Sequence, residues 1–316
     1  MVRVMGMIYR IPMTAIIGDK GNGFYSYAYS VYTILLLLSS YSLPLAVSKM
    51  VSAKAQLGQW RNVKRVFICA IAFAIGIGTT FGLIVLIGAQ FFTRVFFHSE
   101  LAAIALRFMA PTILIMALLG VFRGFFQGLQ NTLPTAVSQI VEGLINAIMS
   151  VVFAYFLFDF GHEMDAASGT TDLGYAWGAA GGAIGTGAGA LAGLIFCFIL
   201  FVAYRKILAV NISRDKTGTQ QEYGDIFRLM LSIALPVILS TALYNLIELV
   251  DGSLFNNIMA SKGMEDVKDS MWGAYNAKAL LLVHIPVSIS SAMAVSLVPT
   301  LTAAYALGDE QTAKVK

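Results

Sequence analysis

Eight long apolar runs, at residues 2–17, 24–48, 66–93, 101–122, 134–158, 173–204, 229–259 and 279–307, take up most of this 316-residue chain. A helix that crosses a bilayer needs about 20 mostly apolar residues, because the hydrocarbon layer is roughly 30 Å thick and each helical residue rises about 1.5 Å. Seven of the runs meet that length; the first is short and starts at Met1. None shows the period-two alternation of a barrel strand, so helices are required. The chain is 58% hydrophobic and only 12% charged, with a mean hydropathy of +0.77. Soluble domains carry roughly a quarter charged residues. The expected class is an all-α, polytopic membrane bundle.

A net charge of +4 could suggest a nucleic-acid partner, but the cations alternate with the runs. After the second run come Lys49, Lys54, Arg61, Lys64 and Arg65, and after the sixth come Arg205, Lys206, Arg214, Lys216 and Arg228. The loop after the fifth run instead holds Asp159, Glu163, Asp165 and Asp172 without a cation. By the positive-inside rule this predicts topology rather than nucleic-acid binding, with both termini cytoplasmic. Cys69 and Cys197 stand alone inside apolar runs and read as small hydrophobes. Arg3 and Arg10 interrupt the first run, and no small-residue cleavage site follows, so no signal peptide is expected.

The stretch 23–65 aligns without gaps on 273–315, matching at Gly23/Gly273, Tyr25/Tyr275, Ser40/Ser290, Ala53/Ala303, Leu57/Leu307, Gly58/Gly308 and Lys64/Lys314. In both copies an outward turn at the glycine, a span, Leu-Gly and a polar tail follow in order; the first span is expected to bend at Pro44. Such a repeat predicts two related bundles with a site between them. The expected division is a six-helix lobe at 1–208, a cytoplasmic loop at 209–228 and the first two helices of a second lobe at 229–316. In the sixth run Gly174, Gly178, Gly182, Gly185, Gly189 and Gly193 form a ladder suited to close helix packing, and no phosphate-loop motif is present.

Polar groups inside the spans carry the functional information, since a charge at a helix centre costs about 2.5–3.5 kcal/mol on the insertion scale. Arg3 and Arg10, seven residues apart, share one face of the first helix and would suit a diphosphate or carboxylate in a watery cavity. Alternatively, Arg3 snorkels to the headgroups. Thr135, Ser138, Gln139, Glu142 and Asn146 form a stripe facing the bundle interior, for substrate contact or for interhelical bonding. Asn245, Glu248 and Asp251 place two acids one turn apart, which suits a cation or proton relay; the plainer reading puts Asp251 at a helix end. His284 before Pro286 reads as a packed, neutral histidine. No nucleophile elbow, HExxH or Walker motif supports an enzyme or a cofactor.

The run from Arg123 to Glu142, RGFFQGLQNTLPTAVSQIVE, resembles the RGxFQG…PTAxSQxxE signature of polysaccharide flippases close to the stage V sporulation protein B family. These belong to the multidrug/oligosaccharidyl-lipid/polysaccharide exporter superfamily, with lipid II flippases as relatives. Arg3-Val-Met-Gly6-Met-Ile-Tyr-Arg10 and Leu43-Pro44-Leu-Ala-Val-Ser48-Lys49 are similar to two further motifs of that family. The resemblance implies a MATE-like pair of lobes around a cavity, moving an undecaprenyl-diphosphate-linked saccharide, most simply lipid II, across the bacterial cytoplasmic membrane by alternating access. It places the diphosphate on Arg3 and Arg10, cavity polarity on Gln139, Glu142 and Asn146, and Na+ or H+ coupling on Glu248 and Asp251. Two departures stand out: Asn146 occupies a position where relatives often carry Arg, and the eight runs fall short of the twelve to fourteen helices expected. A fragment or shortened form is therefore expected, with a partner chain or second copy supplying the other wall. The competing expectations are a multidrug exporter and a non-transporting remnant or scaffold.

Overall fold

A computed structural model describes residues 10–290, apart from 219, 281, 284, 285, 288 and 289. No strand occurs among the described residues, and six helical stretches are long and apolar enough to cross a membrane. The chain is a multi-pass, all-α membrane protein. Its helices are α1 (Arg10–Leu36), α2 (Leu43–Gln56), α3 (Trp60–Phe97), α4 (Ala102–Gly128), α5 (Leu133–Ser168), α6 (Leu173–Arg214), α7 (Tyr223–Ser261) and the short α8 (Glu265–Ala274). The stretch Arg10–Gln56 contains the end of the first expected run and all of the second, while most of 279–307 lies outside the described residues.

The division between those first two runs falls at Gly18, whose φ of 63° and ψ of −176° are open essentially to glycine alone. The turn expected at Gly23 is therefore made five residues earlier, and Gly23 is helical and buried. Asn22 supports the new turn by donating to the Gly18 carbonyl at 2.9 Å. Where a bend was expected at Pro44, a π-helical turn at Leu37–Tyr41 interrupts the helix and the proline stands in the first turn of α2. A proline lacks the N–H that would continue the helix, and its ring crowds the carbonyl four residues back.

The fifth span also differs from expectation. α5 runs on to Ser168, so the acids predicted in a loop at 159, 163 and 165 are helical. Asp165 explains why the extra turns persist: it accepts from the N–H groups of Leu173 and Gly174 at 3.0 and 2.9 Å, satisfying donors at the start of α6. α5 and α6 form the most extensive helix pair. Added methyl groups at Gly181, Gly185 and Gly189 would strike the α5 backbone, so the small residues permit contact that larger ones forbid.

Two apolar cores hold the bundle. One gathers Phe24, Tyr27, Phe97, Leu106 and Met109; the other gathers Val47, Phe67, Phe125 and Ile226, with Phe67 stacked 4.5 Å from Phe201. Ile87, 80% exposed, and Leu239, 66% exposed, face outward, as a lipid surround permits. The segment expected as a loop at 209–228 is helical at both ends, leaving 215–222 as the connection.

The repeat-related glycines meet. A methyl group on Gly23 would collide with the Asp269 carbonyl, and one on Gly273 with the Asp19 carbonyl. Both pairs, Gly23/Gly273 and Asp19/Asp269, are 250 positions apart, so the contact between α1 and α8 has twofold character.

Candidate binding site

The signature run folds back on itself. Gln130 takes a positive φ of 62°, the Asn131 side chain accepts from the Leu133 N–H at 3.2 Å, and α4 and α5 become neighbours. Arg123, 9% exposed, then donates through Nε to Ser138 Oγ at 2.9 Å and through Nη2 to Glu142 Oε2 at 2.6 Å. Gln127 Nε2 reaches Thr135 Oγ1 at 3.3 Å. The two halves of the signature thus form one polar clasp; breaking a fully buried pair typically costs about 3–5 kcal/mol, and the quarter exposure of Glu142 lowers the cost here.

Glu142 and Asn146 continue from the clasp into a cavity of about 160 Å³, shared with Arg10, Tyr25, Tyr29, Tyr32 and Thr186. Arg10, half-buried, is the first described residue, and among the described residues no acid pairs with it. Its helix turn is fixed by Thr14 Oγ1, which donates to the Arg10 carbonyl at 2.7 Å. Glu142 is already neutralised by Arg123. Among the described residues the cavity therefore carries one uncompensated positive charge beside three phenol rings, an environment that favours an anion. Ligand pockets usually measure about 300–1,000 Å³, so this volume suits a diphosphate-sized group rather than a whole saccharide headgroup.

Of the residues singled out from sequence, the structure brings together Arg10, Glu142 and Asn146. Gln139 is exposed outside the cavity, because the clasp turns Ser138 and Glu142 inward and each helical step rotates by about 100°. Arg3 lies outside the described residues. Glu248 lies on α7 but its side chain is outside the description, and Asp251 is exposed there. No group of three or more His, Cys, Asp or Glu gathers into a metal site among the described residues.

Sequence reasoning missed the tyrosines, although their spacing of four and three residues marks one helical face. Tyr25 and Tyr29 stack with ring centres 5.8 Å apart. It also missed Lys268, 3% exposed, whose Nζ donates to the Phe97 and His98 carbonyls at 3.0 and 3.2 Å and to Asp269 Oδ1 at 3.2 Å. No sequence signal announces it, since its acceptors are the terminal carbonyls of a distant helix.

Residues 1–304 match the family described as polysaccharide biosynthesis protein. Among curated proteins of Bacillus subtilis (strain 168), the chain is 26% identical over 318 residues to the lipid II flippase MurJ, covering 97% of this chain and 56% of that protein. It is 24% identical to stage V sporulation protein B, covering 95% and 55%, and 24% identical to the uncharacterized membrane protein YabM, covering 96% and 53%. The chain spans about half the length of the curated relatives it matches. No solved structure matches it.

Proposed function

Because the chain belongs to the polysaccharide biosynthesis protein family, we propose that it moves a lipid-linked saccharide, with lipid II as the substrate, across the bacterial cytoplasmic membrane by alternating access. The observation that carries this reading is Arg10, a cation without an acidic partner among the described residues, in a cavity sized for a diphosphate. The likeness to a lipid II flippase supports the substrate class. In this reading α1–α6 form most of one MATE-like lobe and α7 and α8 open a second. A partner chain or a second copy supplies the facing wall, and both termini are cytoplasmic. The headgroup passes between the walls while the polyprenyl tail stays in lipid.

A drug exporter of the same superfamily is the rival within transport. The two part at Arg10→Ala: flipping of an undecaprenyl-diphosphate saccharide in vesicles should fall at least tenfold, whereas export of an organic cation would be indifferent to losing a charge that repels it. Undiminished lipid flipping by that variant would sink the proposal. Failure of the wild-type chain, supplied with the facing half, to rescue cells depleted of their own flippase would favour a scaffold. Glu248 and Asp251 keep their proposed role in Na+ or H+ coupling. Asp251→Asn should then remove the ion dependence of transport while leaving lipid binding intact.

A further inference from the structure

α3 is 38 residues long, so its two ends stand roughly 55 Å apart. One end meets α8 at Lys268. The other borders a separate cavity of about 280 Å³, in which Arg61, Lys64 and Arg65 face Ile68, Ile212 and Tyr223. Three cations around one small cavity repel each other, and two kinds of side chain there behave differently.

Arg65 is held in place. Its Nη1 donates to the Gln221 carbonyl at 2.6 Å, its Nη2 to Gln220 Oε1 at 2.8 Å, and its guanidinium lies 5.2 Å from the centre of the Tyr223 ring. Arg61 and Lys64 have exposed side chains that enter no ion pair within 4 Å among the described residues. Asp215, beside Arg61, is occupied by the Arg61 N–H at 2.9 Å and by the N–H and hydroxyl of Thr217 at 2.9 and 2.6 Å. Those bonds, the backbone one from Arg61 first, hold its carboxyl down to about 2, so it is ionised and offsets part of the Arg61 charge. Lys64 and Arg65 remain in excess.

The cavity is lined by cations and by the apolar side chains of Ile68, itself exposed, and Ile212. Trp60 opens α3 and Tyr223 opens α7, so both helices enter the bundle with an aromatic ring at their first residue. Aromatic rings at span ends mark the boundary between bilayer and water, and basic pockets between helices at that depth recognise lipid headgroups. A free phosphate would use the cations but gain nothing from the isoleucines. A membrane lipid uses both.

We propose that this pocket binds the phosphate headgroup of an anionic membrane phospholipid, taken up by Arg61 and Lys64 with Arg65 as a fixed third cation. The bound lipid would fasten the 215–222 connection, and with it the start of α7, to the bilayer surface. The site shares no lining residue with the Arg10 cavity. It does not depend on the substrate proposed above.

Native mass spectrometry of the purified chain, titrated with phosphatidylglycerol, phosphatidylcholine or inorganic phosphate, tests this. Each surface cation contributes on the order of fivefold to anionic-lipid binding, so Arg61→Gln with Lys64→Gln should weaken the phosphatidylglycerol adduct by about tenfold or more. Lys64→Gln alone, at an exposed position, should weaken it about fivefold even if the double variant folds poorly. Arg205→Gln with Lys206→Gln removes the same charge from exposed positions after the sixth run and should leave binding within about twofold of wild type. Equal weakening by both double variants would show general attraction and overturn the site. Displacement of phosphatidylglycerol by equimolar inorganic phosphate, or equal binding of phosphatidylcholine, would overturn it as well.

Discussion

Where α8 crosses α1, backbone meets backbone with no room for a methyl group; where α7 passes α2, about 660 Å³ stays open between Leu45, Met50, Ile233 and Pro236. Each contact joins one early helix to one late helix. At the seam, small residues bring the chains together and Lys268 ties α8 to the end of α3. Tyr27 adds a bond to Asn256 at 2.9 Å and Lys278 an ion pair to Asp19 at 2.7 Å. At the groove, Lys49 and Lys54 stand beside apolar side chains instead. The difference is chemical: one contact is closed by small residues and polar bonds, and the other is left open between apolar side chains with two lysines beside them. A protein proposed to expose its site to one side at a time requires such an inequality between its ends.

The sharpest way to break the comparison is Gly23→Leu. It forces α1 off the Asp269 carbonyl and should lower stability by about 4 kcal/mol, read as thermal unfolding in detergent. Lys268→Met comes next. It leaves two carbonyls and the Asp269 carboxylate without their donor, a loss of about 3 kcal/mol in the same assay. Ala53→Leu, exposed in the groove, should change stability by less than about 0.5 kcal/mol. A destabilisation as large as that of Gly23→Leu would mean that the groove is closed in the folded protein.

The smallest effect concerns the connection at the groove end. The Asp215 carboxyl is held at about 2 by the Arg61 N–H and Thr217, below the ordinary carboxylate value of about 3.8 that it takes when unfolded. Its contribution to stability is therefore complete above pH 4 and is lost as pH falls through about 2. Asp215→Asn should remove that part of the acid sensitivity; an unchanged acid profile would show that the connection does not rely on it.

Much of this fold was legible because a bilayer restricts the choices. Run lengths located α3 to α7, and the glycine ladder foretold close helix packing, which the structure makes with α5. The repeat paired Gly23 with Gly273 but misread the first as a turn, since one sequence cannot show that a glycine is needed for packing rather than for positive φ. Gly18 serves the turn instead. The acids after the fifth run were read as loop because charge signals the membrane boundary but not where a helix stops; Asp165 extends α5 by capping α6. Arg10, Glu142 and Asn146 were singled out as polar groups inside apolar runs, and the structure sets all three around one cavity. The Arg123–Glu142 pair was not singled out, because pairing across a hairpin depends on how α4 and α5 fold together.

That pair leaves Arg10, among the described residues, as the cavity's cation without an acidic partner, and its proposed role in holding a ligand is the centre of this account. Its most direct test is binding of undecaprenyl diphosphate and of neutral undecaprenol to the wild-type chain and to Arg10→Ala, measured by native mass spectrometry. The account predicts that the wild type prefers the diphosphate and that Arg10→Ala loses this preference by at least about tenfold, with undecaprenol binding unchanged. A preference that survives in Arg10→Ala would contradict it.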